Sequence, residues 1–156
     1  MKTLQYMFIQ SKGRPVHVGD LVVMQTDCIP IERGTITIRF IEGQSKDHGV
    51  RLKCKNGWIE LSDGTHAETL YIWRQPGLPD EITHRVHCPD GKLRFCNVYR
   101  IFHHNGYVSE DRWTGNAGIV RLSEQANKRM YGCSRGDGDF NPRGLVVEVE
   151  WSQEED

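Results

Sequence analysis

Apolar and polar residues alternate with period two along much of this chain, while the 3.6-residue period of an amphipathic helix barely shows. Residues 35–40 send Ile36, Ile38 and Phe40 to one face, and residues 145–151 send Leu145, Val147, Val149 and Trp151 inward with Val146, Glu148 and Glu150 outward. Such alternation predicts half-buried antiparallel strands. Lys55-Asn56-Gly57, Ser62-Asp63-Gly64, Pro89-Asp90-Gly91 and His104-Asn105-Gly106 interrupt the β-rich runs with residues suited to tight turns. They predict meanders at about 49–73 and 82–110. The apolar run of residues 1–10 is broken by Gln5 and closed by Gln10, so it reads as a first strand and not as a leader. One short helix is predicted near 123–131, capped by Ser123 and stopped by Gly132.

The fold predicted is all-β: an antiparallel two-sheet sandwich, jelly-roll-like or meander-built, of about ten short strands in one domain spanning the chain. A weak internal duplication, about 18–74 against 82–152, is suggested by Ile38-Arg39-Phe40 and Val50-Arg51-Leu52 recurring as Arg100-Ile101-Phe102 and Val120-Arg121-Leu122. Its seam would be residues 75–79, where Pro76 and Pro79 forbid ladder pairing.

Composition narrows the partners. The chain has 156 residues, 37% hydrophobic and 26% charged, with 20 Lys+Arg against 21 Asp+Glu. This balance predicts a globular protein with no general nucleic-acid binding. No apolar run approaches the roughly 18 residues of a membrane span, so no membrane partner is predicted. Charge is locally uneven: residues 74–104 carry five Lys/Arg against three Asp/Glu, and residues 144–156 carry five acids and no base. Those final residues, from Ser152 on, read as a frayed end. The cysteines are odd in number, at 28, 54, 88, 96 and 133, without a C-x-x-C pair. Free thiols in a reducing cytoplasm are therefore expected. If the Pro89-Asp90-Gly91 turn joins two paired strands, Cys88 and Cys96 lie roughly 10–13 Å apart along the ladder, too far for a bridge.

Three groups of residues could carry function. Asp137, Asp139, Asn141 and Glu148 stand at positions one, three, five and twelve of a calcium loop, although Pro142 occupies the place where an EF-hand turn wants glycine. Asp137 also ends the tripeptide Arg135-Gly136-Asp137. His84, His87, Cys88, Cys96, His103 and His104 offer imidazole and thiolate for zinc or acid–base work. Local geometry assembles two of these ligands and not four. The stretch 103–116 is polar and glycine-punctuated yet carries Tyr107, Arg112 and Trp113, side chains that dominate binding hot spots, with Glu110 and Asp111 beside them. Trp58 follows a turn and is placed with Glu60, apart from Ile59 and Leu61.

No phosphate loop, nucleophile elbow or zincin motif is present, so a catalytic residue set is not assigned and no cofactor is expected beyond the calcium alternative. The function expected is recognition without chemistry, of the inhibitor, immunity or accessory kind. A protein partner would bind loops 103–116 and 133–143, where Tyr107, Arg112, Trp113 and Trp58 make contact and Glu110 and Asp111 steer basic groups. The alternatives are a carbohydrate-binding module, calcium-assisted, and a small enzyme using histidine acid–base chemistry.

Overall fold

The computed structural model describes residues 2–76 and 80–155, so residues 77–79 of the expected seam lie outside the described residues. In chain order the elements are α1 (Leu4–Gln10), β1 (Val16–Val18), β2 (Leu21–Val23), β3 (Asp27–Pro30), β4 (Arg33–Glu42), β5 (His48–Lys53), β6 (Trp58–Glu60) and β7 (His66–Ala67). They continue as β8 (Thr69–Trp73), β9 (Glu81–His87), β10 (Lys92–Phe102), β11 (Val108–Asp111), β12 (Gly118–Gln125), β13 (Lys128–Ser134) and β14 (Leu145–Gln153). The order β11-β10-β5-β8, with β3 also on β10, makes a five-stranded sheet, and β12-β13-β14-β4-β9-β6-β7 makes a seven-stranded one. All these pairings are antiparallel, and β1–β2 forms a separate hairpin.

The two sheets pack as the alternation predicts. Ile36, Ile38 and Phe40 of β4 and Leu145, Val147, Val149 and Trp151 of β14 are buried, in register as Val149 opposite Ile38 and Trp151 opposite Ile36. They meet Val50, Leu52 and Phe95 of the facing sheet in one core, and Phe95 stacks on Tyr131 with ring centroids 4.4 Å apart. Val146, expected to face out, is buried beside a bulge in the β14–β4 pairing.

Several sequence expectations fail for identifiable reasons. The first ten residues hold a helix, because Leu4, Met7 and Phe8 share one helical face and Thr3 caps it, its hydroxyl accepting from the Tyr6 amide at 3.2 Å. Residues 123–131 form the β12–β13 hairpin and not a helix. Pairing of β13 with β14 and burial of Tyr131 and Cys133 outweigh the Ser123 cap signal. The meanders at 49–73 and 82–110 are also corrected. Lys55-Asn56-Gly57 and Pro89-Asp90-Gly91 reverse the chain but carry it into the facing sheet, so β5 pairs with β8 and β9 pairs with β4 and β6. A turn sequence encodes a reversal and not the partner strand. Ser152 and Gln153 are strand residues opposite Thr35 and Gly34, so the frayed end starts later than expected.

The flanks of the sandwich are closed differently. At one, the β1–β2 hairpin and α1 lie on β12, burying Leu4, Phe8, Val16, Val23 and Val120 in a second apolar cluster. Met24 exchanges two backbone hydrogen bonds with Ile119, each 2.9 Å. Nearby, Asp27 of β3 accepts from Arg121 at 2.7 Å twice, from Arg129 at 3.1 Å and from the Tyr131 hydroxyl at 2.5 Å. Burial alone would raise the Asp27 carboxyl, but hydrogen bonds from Arg121 and Tyr131 and the charges of Arg121 and Arg129 hold it below its ordinary value. At the other flank Cys54 and Cys88, their Cα atoms 4.8 Å apart, form a disulfide joining the end of β5 to the end of β9. That corrects the expectation of free thiols at these two positions, whose pairing depends on a crossing between sheets. Cys88 is not paired with Cys96, although the ladder assumed in the spacing argument does not form, since β9 and β10 lie in different sheets; Cys28, Cys96 and Cys133 are free thiols. Among the described residues, no helix is long and apolar enough to cross a membrane.

Candidate functional site

The β10–β11 hairpin carries most of the residues singled out in the sequence. The pairing runs Tyr99 opposite Asp111, Arg100 opposite Glu110, Ile101 opposite Ser109 and Phe102 opposite Val108. The tip is closed by the His103 amide donating to the Tyr107 carbonyl at 2.8 Å and by the Asn105 side chain accepting from the Tyr107 amide at 3.0 Å. Gly106 supplies the left-handed residue, φ 86°. Phe102 is 62% exposed, Tyr107 63% and Val108 41%; Phe102 and Val108 are cross-strand partners on one face of the tip, and Tyr107, the neighbour of Val108, turns to the other face beside His103. The His103 ring lies 5.5 Å from that of Tyr107, and its Nε2 is 2.9 Å from the Ser109 hydroxyl.

Trp113 differs from Tyr107. Its indole Nε1–H donates to the Gln25 carbonyl at 3.0 Å, its backbone is left-handed at φ 65°, and the Arg112 guanidinium lies 4.7 Å over its ring. Trp113 ties the hairpin to the segment before β3. Glu110 is exposed, while Asp111 is half-buried. The loops 103–116 and 133–143 do meet: the Asn116 amide donates to Gly136 at 3.0 Å and its side chain to Gly138 at 2.9 Å. Tyr99 hydrogen-bonds Thr114, and a side chain at Gly136 would strike the Tyr99 hydroxyl. Arg135 braces the junction by donating to the Asp47 carbonyl at 3.0 Å and the Arg100 carbonyl at 2.7 Å.

The four calcium-loop positions are not gathered. The Arg135 side chain donates to Asp137 at 2.9 Å and, with its charge, holds that carboxyl below the usual range against the opposing effect of partial burial. Asn141 accepts from the Arg143 amide at 3.0 Å, and Glu148 accepts from Arg39 at 2.8 Å on the outer face of β14. Asp139 is exposed. Among the described residues, no three His, Cys, Asp or Glu side chains lie close enough to share a metal ion.

The histidines are dispersed. His103 and His104 sit at the hairpin tip, while His87 faces outward at the end of β9 beside Trp58, with ring centroids 5.9 Å apart. Trp58 itself stacks on His66 at 4.2 Å, with the Arg85 guanidinium 6.0 Å from its ring centre. His84 points the other way along β9 and is only 7% exposed. It lines a cleft of about 610 Å³ with Phe40, Leu70, Ile72, Trp73 and Ile82. Its Nδ1 lies 2.8 Å from the Glu60 carbonyl, an obligatory acceptor, so Nδ1 carries the proton; Nε2 is buried and without a partner. Cys96 and Cys133 are buried, and burial raises both thiols above their ordinary value.

Sequence reasoning missed Phe102 and Val108, although two apolar residues flanking an Asn-Gly turn are a readable sign of a paired, exposed tip. It also missed the Asp27 network and the cleft, which need the pairing of distant strands. Compared with protein families, with curated proteins and with solved structures, the chain matches none.

Proposed function

We propose that this chain is a non-enzymatic recognition protein that binds a protein partner through the tip of the β10–β11 hairpin. The observation that carries this reading is a hydrogen-bonded hairpin tip exposing Phe102 and its cross-strand partner Val108 on one face and Tyr107 on the other. Apolar side chains presented on a pre-organised support bind with little ordering cost. Glu110 stands exposed on the same hairpin and Asp139 on the neighbouring loop, and both favour basic groups on the partner. Trp113 and Arg112 enter as the support of the site and not as its contact surface, which revises their expected role.

The Cys54–Cys88 bridge supports action in an oxidising compartment in place of the cytoplasm expected from the cysteine count. Alkylation of the native protein should label Cys28 first and leave Cys54 and Cys88 unlabelled until a reductant is added. The partner reading is tested by capture from native lysate with wild type and a Phe102→Ala/Tyr107→Ala variant. Proteins retained by wild type and lost by the variant at unchanged melting temperature are expected; identical capture by both would contradict the assignment.

A further inference from the structure

We infer that β8 is a docking edge for an extended segment of a partner protein, which joins the five-stranded sheet with apolar side chains turned into the cleft and acidic ones turned outward. This surface is separate from the hairpin tip and does not depend on it.

The backbone argument comes first. On β5 the His48 carbonyl accepts from the Arg74 amide at 3.0 Å, and the Cys54 amide donates to the Glu68 carbonyl at 2.9 Å. Between these two bonds the register sets Ile72 opposite Val50 and Leu70 opposite Leu52. Antiparallel ladders alternate, so Leu70 and Ile72 spend their amides and carbonyls on β5. The N–H and C=O groups of Thr69, Tyr71 and Trp73 point the other way. Among the described residues none of these six groups has a backbone partner.

The other edges of the sandwich are protected in ways that β8 is not. The outer side of β12 is bridged by Met24 and covered by the β1–β2 hairpin, and β7 is two residues long. The strand β3 ends at Pro30, and β11 is four residues including Glu110 and Asp111. By contrast β8 is five residues, Thr-Leu-Tyr-Ile-Trp, without charge, proline or bulge. An exposed edge of that kind is a template for pairing.

The cleft supplies the pockets. An added strand would direct alternate side chains inward past Leu70 and Ile72, over Phe40 and Ile82, into the roughly 610 Å³ that now separates β8 from β9. His84 belongs to the same wall, its ring held by the Glu60 carbonyl 2.8 Å from Nδ1. Charge selects the outward residues. Lys53 and Arg51 of β5 stand opposite Thr69 and Tyr71, and the Arg100 guanidinium of β10 lies 3.7 Å over the Trp73 ring. Lys53 meets Glu68 at 3.9 Å and Arg100 meets Asp47 at 3.7 Å, so of the three Arg51 is the cation without a salt-bridge partner among the described residues. Its charge, central on the outer face, favours acidic side chains on the added strand.

The test uses the full-length protein and an acetylated, amidated peptide Ser-Glu-Ile-Thr-Val-Glu-Ser, followed by the indole and backbone amide resonances of Trp73. Saturable binding is expected, weakened about tenfold or more when both glutamates are replaced by lysine. Tyr71→Pro removes one outward-pointing N–H without touching the β5 ladder, a substitution edge strands tolerate, and should weaken binding about tenfold. The Phe102→Ala/Tyr107→Ala variant should bind the peptide unchanged, so loss of the tip reading leaves this one standing. Should Tyr71→Pro fail to fold, the glutamate-to-lysine comparison decides. Absence of saturable binding, equal binding of the lysine peptide, or self-association of the protein that competes with the peptide would each overturn the proposal.

Discussion

The two flanks of the sandwich are covered to different degrees. On the β12 side both Asp27 oxygens are occupied, by two arginines, a tyrosine and the Cys28 amide, and a hairpin and a helix cover the sheet edge. On the β8 side, among the described residues, the edge is bare and beside it lies a mostly apolar cleft. An unpartnered buried atom does not by itself tell the flanks apart, since Arg129 Nε in the Asp27 cluster and His84 Nε2 both lack a protein partner. The lesson is to compare how an edge is covered and not burial: Asp27 and His84 are 6% and 7% exposed.

The comparison breaks most severely at Asp27. Replacing it by Ala leaves Arg121 and Arg129 without their shared carboxylate, and urea unfolding should show a loss of about 4 kcal/mol. Next is the disulfide that pins the opposite flank; Cys54→Ala with Cys88→Ala should lower stability by about 3 kcal/mol, measured the same way. Per pH unit, a smaller effect comes through His48 of β5, whose burial, aided by the Arg135 charge and opposed by Asp137, lowers its pKa from 6.5 to about 3. The folded protein keeps this imidazole neutral, so its contribution is full above about pH 6.5. It is lost as the unfolded chain takes up a proton that the folded chain refuses. Stability should fall by up to about 1.4 kcal/mol per pH unit on acidification below that point, and His48→Gln should flatten the slope. Asp27 acts in the same direction at lower pH, because its folded pKa lies below the ordinary 3.8 and its contribution disappears as pH drops through that value. The smallest expected effect is at His84. Phe there loses the Glu60 bond but also removes the unpartnered nitrogen, so a change within about 1 kcal/mol is expected. A loss as large as that at Asp27 would erase the distinction between the flanks.

Much of the framework was legible from alternation alone. The inward residues of β4 and β14 and the turn at the β10–β11 tip follow from period two and from Asn-Gly chemistry. What was hidden depends on partners far along the chain. Leu4, Met7 and Phe8 fit a helix as well as a strand over so few residues, and only packing on Val120 decides. The β12–β13 hairpin carries a bulge at residues 121–123 that disrupts its alternation, which made a capped helix plausible there. Trp113 reads as a contact residue until its indole is seen bonded to Gln25. The open edge of β8 has no local signature, since Thr-Leu-Tyr-Ile-Trp would suit a central strand equally well.

Amide hydrogen exchange along β8 addresses that edge most directly. If it is bare, the Thr69, Tyr71 and Trp73 amides exchange rapidly while those of Leu70, Ile72 and Arg74 are protected, giving an every-other-residue pattern. Uniform protection across all six amides would mean that β8 is already paired on both sides, and the contrast between the two flanks would be wrong.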